Sequence, residues 1–224
     1  MTHHLRRLAR PLAATLVVGS LLLLPNGGAA ETTTAAATAT APAVSPLDDP
    51  NPLVRRRAVH AFLVSKDPQA VATVAGMLAD EHPSVRGSAL FVLARLGAHD
   101  QVGVIERVLR KDDSAMVRHE AIVALERLDA HRSASVLLTT LRDESSSVRA
   151  RAARTLGTWK VAKAVPKLRR LLSDPSERVR ETVVRALADI GTPASRKAIE
   201  SAADDRSDAV RNEVRQALES FEKR

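Results

Sequence analysis

The chain has 224 residues, enough for one ordinary domain with tails, and 45% of them are hydrophobic while only 2% are aromatic. The core must therefore be built from Ala, Val, Leu and Ile, a composition suited to closely packed helices. With no cysteine, disulfides, thiol nucleophiles, cysteine-ligated metals and a lipid-modified cysteine are all excluded. The formal charge of +8 becomes informative only once it is divided along the chain.

Residues 1–30 read as an export signal. Arg6, Arg7 and Arg10 form a positive head, Leu12–Leu24 is an uncharged and mostly apolar run, and Gly28-Ala29-Ala30 offers small residues for cleavage. That run has 13 residues between Pro11 and Pro25, short of the roughly 20 that cross a bilayer as a helix. The expectation is cleavage after Ala30 and a periplasmic or extracellular protein. An uncleaved segment would instead leave it anchored to the membrane. Arg6-Arg7 raises the twin-arginine route, but Leu5 stands where Ser or Thr is wanted, so the export route stays open. Residues 31–47 (ETTTAAATATAPAVSPL) lack helical periodicity and read as a Thr/Ala/Pro-rich linker. Cleavage would remove three arginines and no acid, leaving +5.

From Asp48 to Arg224 the sequence repeats. Val-Arg falls at 54–55, 85–86, 117–118, 148–149, 179–180 and 210–211, at spacings of 31, 32, 31, 31 and 31. Six residues before each of these arginines lies an aspartate: Asp49, Asp80, Asp112, Asp143, Asp174 and Asp205. A fixed period of this size signals stacked structural units. Counted from the valine, apolar residues recur at offsets 0, 4, 8 and 11, as in Val85, Ala89, Leu93 and Leu96, which is one face of a helix. Gly97 and Gly191 follow where a left-handed C-cap is wanted. A second amphipathic stretch runs through Val71-Val74-Leu78, Val102-Ile105-Leu109, Ala134-Leu137-Leu141 and Val165-Leu168-Leu172.

The expected fold is all-α, an α-solenoid of five and a half two-helix repeats. The half unit is a last helix, Asp208–Phe221. Its Arg215 replaces the apolar Val59, Leu90, Ile122, Ala153 and Val184 of the other units, as a terminal cap requires.

The pattern D-x-x-x-x-V-R-x-x-A-x-x-A-L resembles the HEAT-repeat family, in particular the short HEAT-like repeat first associated with phycobilisome lyases. The resemblance implies a solenoid with a convex face made by each first helix and a concave face made by each second helix. It implies no single function, because such repeats occur in many binding proteins.

The repeated charges have a structural reading. An Asp in the turn can accept hydrogen bonds from N–H groups of the following helix. The Arg six residues on can fork onto that carboxylate or its neighbour. Trp159 shares its register with Leu96, Leu128, Ile190 and Phe221, which assigns it to the core. Phe91 and Val123 occupy a column that is polar in His60, Arg154, Arg185 and Gln216, so they form either a small convex patch or a partly buried pair.

No catalytic constellation is present. His119-Glu120 begins like H-E-x-x-H, but Val123 takes the place of the second ligand. His99 and His131 share equivalent loops, too few ligands for a metal site. Asp112-Asp113 and Asp204-Asp205 lie at repeat turns, where helix capping explains them. No enzyme activity, cofactor or metal is expected.

Charge is concentrated in one unit. Residues 142–172 carry nine basic and two acidic side chains, a net +7, while every other unit lies between −1 and +1. Arg149 belongs to the repeated pattern, so the candidates for partner binding are Arg151 and Arg154 on the first helix and Lys163, Lys167, Arg169 and Arg170 on the second. By the family's geometry the second group would look into the concave groove.

The expected function is that of an exported, non-enzymatic, monomeric scaffold, a module that binds a protein or peptide with an acidic surface in its concave groove; anionic lipid headgroups and a polyanionic glycan are further candidates. Nucleic-acid binding is disfavoured by the export signal, the localised charge and the scarcity of stacking aromatics. A phycobilin-lyase-like enzyme is the remaining alternative, for which no nucleophile or acid–base pair stands out.

Overall fold

The computed structural model describes residues 45–223, and the expected export signal and most of the expected linker lie outside them. Five helix pairs follow in order. They are α1 (Pro52–Ala61) with α2 (Ala70–Gly76), α3 (Pro83–Arg95) with α4 (Val102–Lys111), and α5 (Ala115–Arg127) with α6 (Ala134–Thr140). The last two pairs are α7 (Ser146–Thr158) with α8 (Val165–Leu171) and α9 (Glu177–Ile190) with α10 (Pro193–Glu200), and α11 (Asp208–Glu222) closes the row alone. Among the described residues no strand occurs. This is the solenoid of five and a half units that the periodicity predicts.

Each helix starts where local chemistry favours it. Pro52, Pro83 and Pro193 open α1, α3 and α10, positions where a missing N–H costs nothing. Asn51 and Thr192 cap their helices by accepting from Leu53 and Ser195 N–H groups. The ends are equally regular. Gly97 and Gly191 adopt the left-handed conformation expected of them, at φ +67° and +70°. Asp129 and Lys160 occupy the same register in the third and fourth units and adopt it too, both at φ 51°, although each carries a side chain.

The apolar columns form one continuous core, in which Val85, Leu93, Val117, Leu125, Val148, Leu156, Val179 and Leu187 are wholly buried. Trp159 is 9% exposed and stacks on the His131 ring at 4.9 Å, so it is a core residue as its register predicts. Leu47, at the end of the linker, also packs against this core.

The aspartates and arginines form a ladder across the units rather than within them. Arg55 donates Nε and Nη2 to the two carboxylate oxygens of Asp80, both at 2.8 Å, and its Nη1 to the backbone carbonyls of Asp49 and Pro50. Arg86–Asp112, Arg118–Asp143, Arg149–Asp174 and Arg180–Asp205 repeat the arrangement. The same aspartates accept the N–H two residues on, at His82, Ser114, Ser145, Ser176 and Ser207, which positions each following helix. Of the two carboxylates open to each arginine in the sequence, the one in the next unit is used.

The first helices pack extensively on one another along the row, whereas the second helices touch mainly the first helix of the following unit and each other only sparsely. At Gly157 of α7 the approach is close: an added Cβ would fall 2.6 Å from the Ala186 Cα of α9. In a stack of tilted units the layer with the shorter spacing is the inner one, so the first helices line the concave side. The assignment of the concave face to the second helices is thereby reversed, because the small residues that permit close packing are on the first helices.

Candidate functional site

The six cations singled out in the fourth unit divide between the two layers. Arg151 and Arg154 belong to α7 on the inner layer; Lys167, Arg169 and Arg170 belong to α8 on the outer one, and Lys163 lies in the short 3-10 turn Ala162–Ala164 that leads into it. They are thus divided between the first helix of the unit and the turn and second helix that follow it.

Their environments differ as well. Arg151 is 19% exposed and its Nη2 is paired with Glu126 of α5, which also receives the Thr155 hydroxyl, so this charge is neutralised between units. Arg154 is exposed, and among the described residues it has no carboxylate partner. Lys167 is partly buried and donates Nζ to the Leu138 carbonyl at 3.1 Å, close to the end of α6. It thus satisfies an orphan carbonyl at a helix C-terminus while keeping its charge. Lys163, Arg169 and Arg170 are exposed, and no described carboxylate lies within ion-pairing distance of them.

Arg142, in the turn after α6, joins this group. It lines a small cleft of about 60 Å³ with Lys167, Arg170, Leu138, Leu141 and Leu171. Sequence reasoning missed it because it precedes the ladder residue Asp143 and looked like part of the turn. The signal available was its place in the only strongly basic unit. The outer face of the fourth unit therefore gathers Arg142, Lys163, Lys167, Arg169 and Arg170 without a compensating acid among the described residues.

The other polar candidates are accounted for locally. His131 bonds Asp129 at 2.7 Å beside Trp159, and His119 lies 3.6 Å from Glu120. Burial pushes the His119 imidazole below its ordinary pKa, with Glu120 opposing and the Arg151 and Arg178 cations adding to the fall. Among the described residues no group of three or more His, Asp or Glu side chains is arranged to hold a metal. Nor is any described helix long and apolar enough to cross a membrane. Phe91 and Val123 are both partly buried rather than fully exposed.

A stack of paired helices tied by an Asp–Arg ladder defines an α-helical repeat protein, and the family profile of HEAT repeats matches residues 40–126 and 134–219. The chain belongs to the HEAT-repeat family. No curated protein matches it in sequence. Among solved structures it is similar to YibA of Escherichia coli, with 22% identity over 77% of this chain and 67% of that one, at a TM-score of 0.61. It is also similar to the complex of CpcE and CpcF of phycocyanin lyase from a Nostoc species, with 20% identity over 72% and 68% of the two chains and a TM-score of 0.60. A designed armadillo repeat protein in complex with the peptide (KR)4 is 20% identical over 79% of this chain and 96% of its own, with a TM-score of 0.53. At these identities the likeness is one of fold.

Proposed function

We propose that the protein is an exported, non-catalytic interaction scaffold whose fourth unit binds an acidic surface of a protein or peptide. The observation that carries the reading is the outer face of that unit, where Lys163, Arg169 and Arg170 stand exposed with no carboxylate partner among the described residues. Elsewhere the chain balances its charges unit by unit, so solubility does not demand this cluster. The designed armadillo protein of similar fold holds a basic peptide, (KR)4. Here the unpaired charges are cationic, which suits the opposite partner. Export rests on the arginine-headed apolar run and small residues of positions 1–30.

The test is affinity capture from the native cell envelope with the wild type and with Lys163→Glu/Arg169→Glu/Arg170→Glu. Lys167 is left in place because its bond to Leu138 ties α8 to α6. Loss of an acidic partner with the variant is the expected result. Retention of every partner would remove the basic cluster from the reading, and recovery of the mature protein from the cytoplasm would remove export.

A further inference from the structure

A different surface lies on the inner layer, in the first three units. Residues of α1, α3 and α5 line a shallow, open cleft of about 500 Å³. Gly87 opens it. One to three units away in the same register stand Arg56, His119, Ala150 and Glu181, and glycine at this point leaves room where the others place a side chain. A Cβ added to Gly87 would make only ordinary contacts, at 3.8 Å to Met116 and 3.9 Å to Glu120.

The walls combine apolar surface with unpaired positive charge. Met116 is 48% exposed, a soft side chain able to adapt to what it meets. Phe91 is held in place from two sides. The His60 ring lies 5.7 Å away, with its Nε2 3.1 Å from the Ser88 hydroxyl, and the Arg127 guanidinium sits 5.0 Å from the Phe91 ring centroid. Arg56 and Arg57 are exposed at the rim, and neither has a carboxylate within ion-pairing distance among the described residues. Glu120 is the acidic side chain lining the cleft. Aromatic, Met and Arg side chains around a recess are the composition of a binding hot spot.

We infer that this cleft docks an acidic peptide segment, seating one bulky apolar side chain against Phe91 and Met116 while flanking carboxylates meet Arg56 and Arg57. Charge complementarity selects the partner: the guanidinium groups outnumber the one carboxylate, and the recess asks for an apolar anchor. A nucleic-acid strand would need a series of stacking aromatics, and Phe91 is alone here. The site is on the opposite layer from the α8 cluster and does not depend on it.

A labelled peptide with one leucine flanked by glutamates serves as the probe, titrated into the full chain and followed by fluorescence anisotropy. Gly87→Leu should weaken binding by about tenfold or more by filling the recess, while raising helix propensity and so preserving the fold. Arg56→Glu/Arg57→Glu should weaken it similarly, and so should replacing the peptide's glutamates by glutamine. The chain has only three methionines, Met1, Met77 and Met116, so methyl NMR can locate the contact. Binding should shift the Met116 methyl and leave Met77 unchanged. Absence of binding to the wild type, undiminished binding by Gly87→Leu, or equal affinity for the glutamine peptide would each overturn the inference. It would also be overturned if Lys163→Glu/Arg169→Glu/Arg170→Glu abolished peptide binding while the cleft variants kept it. Loss of binding to anionic vesicles, with peptide binding intact, in the cleft variants would reassign the site to a lipid surface.

Discussion

Gly157 is a residue on which the close junction of α7 with α9 depends. Its missing side chain lets α7 approach α9 until a Cβ would stand 2.6 Å from Ala186 Cα and 2.8 Å from Ala186 Cβ. Both neighbours are backbone or near-backbone atoms, so no side-chain rotation can relieve the clash. Gly157→Ala should therefore destabilise the protein by about 1–3 kcal/mol despite alanine's better helix propensity. Urea unfolding measures it, and a variant as stable as the wild type would show that the two helices separate freely. This close approach was not legible in the sequence, where Gly157 reads as one small residue in an alanine-rich helix. The left-handed helix ends were half legible. Glycine announces itself at 97 and 191, but Asp129 and Lys160 take the same conformation only because the stacked units dictate the chain's exit from the helix.

At the scale of the elements, the ladder joins each first helix to the turn of the following unit. Arg86 and Asp112 have side chains only 10% and 6% exposed, and Arg86 has all of its nitrogens engaged, on Asp112, Asp113 and two backbone carbonyls. Arg86→Ala leaves the Asp112 carboxylate largely buried without its counter-ion, and should cost about 3–5 kcal/mol. Arg211, in α11, grips no aspartate of another unit among the described residues; it bonds the backbone of Asp205 and the exposed Asp208, and its loss should cost under about 1 kcal/mol. Equal costs for the two substitutions in a thermal or urea melt would refute the inter-unit role. The six-residue offset between Asp and Arg was plain in the sequence. Which of two aspartates each arginine would grip was not, since that depends on how one unit is laid on the next.

Across the whole molecule the ladder makes stability depend on acid. The Arg180 fork holds Asp205 below the usual carboxylate range against the opposing effect of burial. For Asp80 and Asp112 burial is the largest influence and pushes upward, but the Arg55 and Arg86 forks and the backbone N–H bonds together prevail, and both carboxyls end below their ordinary value. The unfolded chain, with aspartates near the ordinary value of about 3.9, therefore takes up protons first. The ladder's contribution is complete above that pH and is lost as the pH falls through it toward the folded-state values. Melting temperature should fall slightly below about pH 6.5, where the unfolded chain protonates His119 before the folded one does, and drop steeply below about pH 4, with a shallower drop there in Asp112→Asn. A melting temperature unchanged in strong acid would contradict this. The sequence by itself determined the period, the helix pairs, the polar last helix and the unit in which positive charge collects, because these follow from spacing and composition along one unit. Only the tertiary structure decided which carboxylate meets each arginine, which layer faces inward, and that Arg151 is paired while Arg142 joins the free cluster. Those are relations between units, and the offset of one stacked unit on the next is set by packing rather than by distance along the chain.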